Sequence, residues 1–215
     1  MASNQSITLI DYGAGNLLNV QRAFEYLGVK TELAKTPDEI QQATKLVLPG
    51  VGAFPAAMEA LETQSLTQAI QDYTQTERPL LGICLGMQLL FEQSDEFQLT
   101  SGLGIIPGHV TRLPEEAIDQ QALTIPSMGW QSLQLTEQGK VSPLLKNQAN
   151  TDCYFVHSFH CQTDDPSFNL ATYERGGHSI LAAVQKNNII GLQFHPEKSA
   201  SKGLEILQAF INLEQ

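Results

Sequence analysis

Cysteine is scarce in this chain, basic residues are outnumbered, and no long apolar run interrupts its 215 residues. Each shortage removes a class of protein. Three cysteines cannot all pair within one chain, so the expectation is reduced thiols and no disulfide framework. Twelve Lys+Arg against 23 Asp+Glu leave a net charge of −11, which argues against nucleic acid or an anionic membrane as a direct ligand. No stretch approaches the roughly eighteen apolar residues of a transmembrane helix. The start, Met1-Ala2-Ser3-Asn4-Gln5-Ser6, has neither a positive n-region nor an apolar h-region, so the expected location is the cytoplasm. Repeats, low-complexity tracts and linkers are missing too, and one domain over residues 1–215 is expected, long enough to bury a full core.

What the chain does have is a short apolar run, Pro79-Leu80-Leu81-Gly82-Ile83, ending at Cys84, with Gly82 and Gly86 two residues to either side. An amphipathic run, Leu85 to Phe91, follows at once. That order predicts a strand, a sharp turn and a helix, the layout of a nucleophile elbow. The nucleophile of such an elbow sits in a strained turn, and glycine is wanted at plus and minus two because side chains there would clash where strand and helix approach. The predicted helix would aim its free N–H groups and positive end at the sulfur. A buried, inert cysteine beside two turn glycines fits the same residues, so its partners must decide.

Upstream, Ile7 to Ile10 reads as a buried strand, Asp11 to Asn16 as a loop, and Leu17, Val20, Phe24 and Leu27 as a helix stopped by Gly28. Gly13 and Gly15 invite a dinucleotide-binding reading, but Leu18 stands where the third glycine belongs. Thr31 to Ala34 predicts a second strand, Thr36-Pro37-Asp38-Glu39 a capping box, and Leu46 to Leu48 a third strand before the loop 49–54. Helical patterns fill most of the way to Thr76. Alternating strands and helices imply an α/β fold of three layers, a mostly parallel central sheet with helices on both faces, and ligands at the carboxyl ends of its strands. Loops 11–16, 49–54 and the Cys84 elbow therefore share one edge. The second half is β-rich, with strand signals at Ile105-Ile106, His109 to Leu113, Tyr154 to Phe159, Leu170 to Tyr173, Ile180 to Val184 and Ile189 to Phe194. A closing helix is predicted from about Lys202 to Leu213.

A cysteine nucleophile needs a base and something to orient the base. His195 ends the Ile189 to Phe194 run and is followed by Pro196 and Glu197. Pro196 biases His195 toward an extended conformation, so His195 and Glu197 can project to the same side, the carboxylate holding one ring nitrogen while the other faces Cys84. Within Pro49-Gly50-Val51-Gly52, the glycines let a peptide turn its N–H toward an oxyanion, and the amide of Leu85 supplies a second donor. Structural roles remain the alternative for each. Cys153, His157, His160 and Cys161 superficially resemble metal ligands. On one strand Cys153 and His157 would lie about 13 Å apart and His160 would face the other way, so no metal is expected. His109 and His178 read as surface or loop histidines.

These residues make the chain resemble the triad-type (class I) glutamine amidotransferases, and within them the glutaminase subunits of imidazole glycerol phosphate synthases. The resemblance spans nearly the whole length. It rests on Asp11-Tyr12-Gly13-Ala14-Gly15-Asn16-Leu17, Leu48-Pro49-Gly50-Val51-Gly52-Ala53-Phe54, Gly82 to Glu92, Met128-Gly129-Trp130, Tyr154 to Phe159 and Gly191 to Ser199. It implies hydrolysis of glutamine to glutamate and ammonia by a Cys84-His195-Glu197 triad without a cofactor, with an oxyanion hole at Val51 and Leu85. It also implies that Gly52, Gln88, Glu96, Ser158 and Phe159 hold the substrate, and that Asn16, Trp130, Tyr154 and Lys198 lie near a (β/α)8-barrel cyclase that uses the ammonia in histidine biosynthesis. One segment departs from the family pattern: Pro126-Ser127-Met128-Gly129-Trp130-Gln131 stands where the family usually reads Pro-His-Met-Gly-Trp-Asn. Three other readings stay open. They are a glutaminase feeding pyridoxal phosphate or surface-sugar synthesis, a catalytically silent regulatory subunit, and a nucleotide-binding module resting on Gly13 and Gly15.

Overall fold

In the computed structural model, which describes residues 6–213, the first half of the chain alternates strand and helix as its apolar runs predict. Residues 1–5, on which the leader reading rests, lie outside the described residues. β1 (Ser6–Ile10) leads to α1 (Leu17–Tyr26), β2 (Lys30–Ala34) to α2 (Pro37–Gln42), and β3 (Leu46–Gly50) to α3 (Phe54–Thr63) and α4 (Leu66–Thr74) before β4 (Leu80–Cys84). Local chemistry sets the boundaries. The predicted capping box opens α2, with Glu39 N donating to Thr36 Oγ1 and Thr36 N donating back to Glu39 Oε2. The helical run predicted through Thr76 breaks at Ser65, whose left-handed φ of 58° separates α3 from α4.

After the elbow come α5 (Leu85–Leu89), β5 (Phe91–Ser94), β6 (Thr100–Ser101), β7 (Ile106–Arg112), β8 (Ser127–Ser132), β9 (Gln134–Leu135) and α6 (Glu137–Val141). β10 (Asp152–His157), β11 (Phe159–Thr163), β12 (Asn169–Arg175), β13 (His178–Lys186), β14 (Ile189–Leu192) and α7 (Ala200–Ile211) complete the described chain. The main sheet runs β2-β1-β3-β4-β14-β13-β12-β9, parallel from β2 to β14 and antiparallel beyond. Its central strands are apolar on both faces, as a sheet covered on both sides requires. Leu46, Leu48, Leu80 and Ile189 point into one core with α2, α3, α4 and α5, while Val47, Leu81, Ile83, Ile190 and Leu192 point into the other with α1 and α7. A four-stranded sheet, β11-β7-β5-β6, and the antiparallel pair β8-β10 flank this frame.

Several predicted boundaries move, each for a physical reason. The helix after Cys84 has five residues and gives way to β5 at Phe91; an apolar run buried all round carries no helical stripe to mark its end. The run Tyr154 to Phe159 is two strands in different sheets, β10 pairing with β8 and β11 with β7, with Ser158 at the corner. β14 ends at Leu192, so Gln193 and Phe194 leave the ladder although both are fully buried. Pro49 and Gly50 belong to β3, where Gly50 pairs with Cys84. The closing helix starts and ends two residues early. His109 and His178 are half-buried strand residues of β7 and β13, not loop residues.

Candidate active site

β4 delivers Cys84 into a turn with φ 55° and ψ −112°, a strained conformation for a residue with a Cβ. The glycines around it make that turn possible. A Cβ on Gly86 would stand 1.8 Å from the Leu48 carbonyl oxygen, and one on Gly82 would meet Gly86 O at 2.8 Å, so α5 can cross β3 and β4 this closely only without side chains. Because α5 is little more than one turn, the predicted macrodipole shrinks to the local N–H groups at its start. From the first loop, the Tyr12 hydroxyl donates to Pro49 O at 3.0 Å and packs beneath the elbow. Loop 11–16 thus supports the turn from below; of the three loops predicted to share the edge, it alone contributes no lining residue to the cavity described next.

The opposing side chains arrive where the chain crosses from one layer to another. Gln193 N still donates to Ala182 O of β13, but two residues later His195 N donates to Tyr154 O of β10, both at 2.9 Å. Ser199 locks the crossing. Its hydroxyl accepts from Tyr154 N at 2.9 Å and donates to His195 O at 2.7 Å. Phe194 anchors it below, packed on Phe155 with ring centroids 5.6 Å apart. The predicted bias of the residue before Pro196 holds: His195 is extended at φ −98°, ψ 96°, and its Nδ1 lies 2.8 Å from Glu197 Oε1. The other ring nitrogen, Nε2, is buried and makes no hydrogen bond.

Cys84 and His195 line one cavity of about 300 Å³ together with Val51, Gly52, Leu85, Gln88, Glu96, Ser158 and Phe159. Glu197 backs His195 from outside it. Every residue predicted as triad, oxyanion or substrate group therefore converges here. Burial works to lower the His195 pKa, but the Cys84 sulfur and the Glu197 carboxylate together raise it to about 9. His157, which also lines the cavity, is spent elsewhere. Its Nδ1 donates to Phe159 O at 2.8 Å, the Tyr173 hydroxyl meets its Nε2 at 2.9 Å, and burial pushes its pKa down to about 4. Glu96 carries one carboxylate oxygen to Phe54 N at 2.7 Å, at the start of α3, and so ties the cavity wall to the end of the 51–53 segment. Gln88 donates from Nε2 to Phe159 O and to Gln193 Oε1, both at 3.0 Å. Gln193 is absent from the predicted site, though an amide within an otherwise apolar run is a legible anomaly.

Trp130 is 53% exposed, which removes a core role. It packs edge-on to Tyr154 at 6.1 Å between centroids, and Lys198 Nζ stands 5.8 Å from the Tyr154 ring centre, so three of the four predicted interface residues form one patch. Asn16, half-buried, begins α1 without a side-chain cap bond. The departures from the family pattern do not reach that surface. Alternation along β8 turns Met128 and Trp130 outward and Ser127 inward, where its hydroxyl lies 3.3 Å from that of Tyr173; Gln131, half-buried, shares Ser127's face.

Residues 8–213 match the family described as Glutamine amidotransferase class-I. The chain is 43% identical over 211 residues to imidazole glycerol phosphate synthase subunit HisH 1 of Legionella pneumophila (strain Lens), covering 97% of this chain and 99% of the relative. It is 46% identical over 204 residues to the HisH subunit of Lacticaseibacillus casei (strain BL23), covering 95% and 94%. Among solved structures, PurLQS from Thermotoga maritima superposes with a TM-score of 0.71 at 17% identity, over 96% of this chain and 97% of that one. A glutamine amidotransferase from Thermotoga maritima does so with a TM-score of 0.62 at 15% identity, over 96% and 83%; at such identities the likeness is one of fold. On the family match and the near full-length relatives, this chain belongs to the class-I glutamine amidotransferases.

Proposed function

We propose that residues 1–215 act as one glutaminase domain, the glutamine-hydrolysing subunit of an imidazole glycerol phosphate synthase in the cytoplasm, with Cys84, His195 and Glu197 as its catalytic triad. The single observation that carries the reading is the His195–Glu197 contact of 2.8 Å, which backs a cavity that His195 shares with a cysteine on a strained elbow. Cys84 attacks the side-chain carboxamide of glutamine after its proton passes to His195. The amides of Val51 and Leu85 receive the oxyanion, a contribution of about 3 kcal/mol per well-placed donor. Protonated His195 then gives its proton to departing ammonia, leaving a glutamyl thioester, and neutral His195 draws a proton from the water that cleaves it. Glu197 holds the ring throughout, Gln88, Glu96, Ser158 and Phe159 hold the amino-acid end, and Gly52 lies beside the amide.

The relatives are named as subunits, which implies a second chain. We assign it as a (β/α)8-barrel cyclase that docks on the face carrying Asn16, Trp130, Tyr154 and Lys198 and consumes the ammonia. The acidic net charge of −11 supports this division of labour, since the sugar-phosphate substrate then belongs to the partner. The test is acid quenching of the two-chain complex during turnover with glutamine, followed by peptide mass analysis. A glutamyl adduct on the peptide carrying Cys84 is the expected result. Steady glutamate release with Cys84 unmodified, or with the adduct on Cys153 or Cys161, would overturn the assignment.

A further inference from the structure

Gln193 lies fully buried between Leu192 and Phe194, which are fully buried as well, in a stretch where packing alone calls for an apolar residue. Burying an amide is costly unless its groups are bonded, and here the bonds lead to the nucleophile. The carbonyl of Phe159 can only accept, so the end of Gln88 that meets it is the nitrogen. That same nitrogen meets Gln193, which makes the facing atom of Gln193 its oxygen and leaves Gln193 Nε2 directed at Cys84 Sγ, 3.9 Å away. One backbone carbonyl thus orients two amides in series, and the series ends in an N–H donor on the sulfur.

We propose that Gln193 is a further catalytic residue of this site, its neutral amide stabilising the Cys84 thiolate when the proton passes from Sγ to His195 Nε2 and again when the sulfur leaves the thioester. The inference rests on the glutaminase reading for those two steps. A carboxamide neither gains nor loses a proton near neutrality, so Gln193 does not compete with His195 as a base. Hydrogen bonds strengthen and shorten when one partner is charged, so a contact that is long for a thiol tightens as the anion forms. Among the titratable groups around the sulfur, His195 backed by Glu197 is the one that changes charge on the alkaline side of neutrality. Burial holds Tyr12 and Cys161 protonated, with Cys84 adding to both shifts, and keeps His157 neutral.

The test is alkylation by iodoacetamide. Cys153 and Cys161 are buried and burial pushes both thiols up, Cys153 to about 12, so the fast phase belongs to Cys84 and disappears in Cys84→Ser. Gln193→Glu keeps the shape and the acceptor for Gln88 but turns an oxygen toward the sulfur. At neutral pH the variant is expected to react about tenfold more slowly than wild type, and the gap should close as the pH is raised. Equal neutral rates, or a deficit that persists unchanged in alkali, would overturn the proposal. Should the variant not fold, the Gln193 side-chain amide resonances of the wild-type protein decide: they are expected to move with pH in step with the alkylation rate, and resonances that stay fixed would refute the contact. Neither readout needs glutamine or the partner. A wild-type two-chain complex that releases no glutamate, though alkylation depends on residue 193, would count against the glutaminase reading alone.

Discussion

At His195 burial and charge pull in opposite directions, and charge wins. Removing the ring from water lowers its pKa, while Cys84 and Glu197 raise it to about 9 from the 6.5 of an ordinary histidine. A folded-state value above the unfolded one means that the stabilisation is complete below 6.5 and is lost as pH rises through about 9. Thermal unfolding followed across that window should therefore show the melting temperature falling with pH in wild type, and falling less steeply in His195→Gln. Identical slopes in the two proteins would contradict the assignment. His195 and Glu197 were legible in the sequence because one residue, Pro196, fixes the local backbone between them. Gln193 shows in the sequence only as an amide in an apolar run; its role does not, since that depends on Gln88, which meets it through the fold and is itself oriented by the Phe159 carbonyl.

Between elements, close approach sets the geometry. A Cβ on Gly203, one turn into α7, would stand 1.8 Å from the Pro196 carbonyl oxygen, so α7 packs against the very segment that carries His195 and Glu197. Gly203→Ala must push that carbonyl aside. The expected cost is about 1–3 kcal/mol of stability, measured by denaturant titration, with a larger proportional loss of glutaminase turnover because the displaced residue adjoins His195. Full turnover with unchanged stability would show that α7 does not position the site. The alternation of strand and helix up to Cys84 was readable because each strand is a short apolar run bounded by turn chemistry. The β-rich half was harder. β10 and β11 form one uninterrupted pattern of strand-forming residues, and only the pairing with β8 and β7 reveals the corner at Ser158. The short α5 concealed its own end, because a helix buried on every side has no polar face from which to count turns.

For the whole molecule, the same crossing that presents His195 to the cavity presents Tyr154 to the outer face. Ser199 bonds the backbone of both residues, so the Trp130–Tyr154–Lys198 patch and His195 share one hydrogen-bonded support. A partner seated on that patch would press on the structure that holds the histidine, and it would meet an outward face untouched by the Ser127 and Gln131 departures. Under the proposed function, this chain makes ammonia at Cys84 for a partner to use. The most direct test compares glutamine-driven with ammonia-driven synthesis in the two-chain complex carrying Cys84→Ser. Loss of the nucleophile is expected to cut the glutamine-driven rate on the order of 10⁴-fold or more, while added ammonia, which needs no triad, restores wild-type synthesis. A variant complex that still runs on glutamine at the wild-type rate would contradict the account.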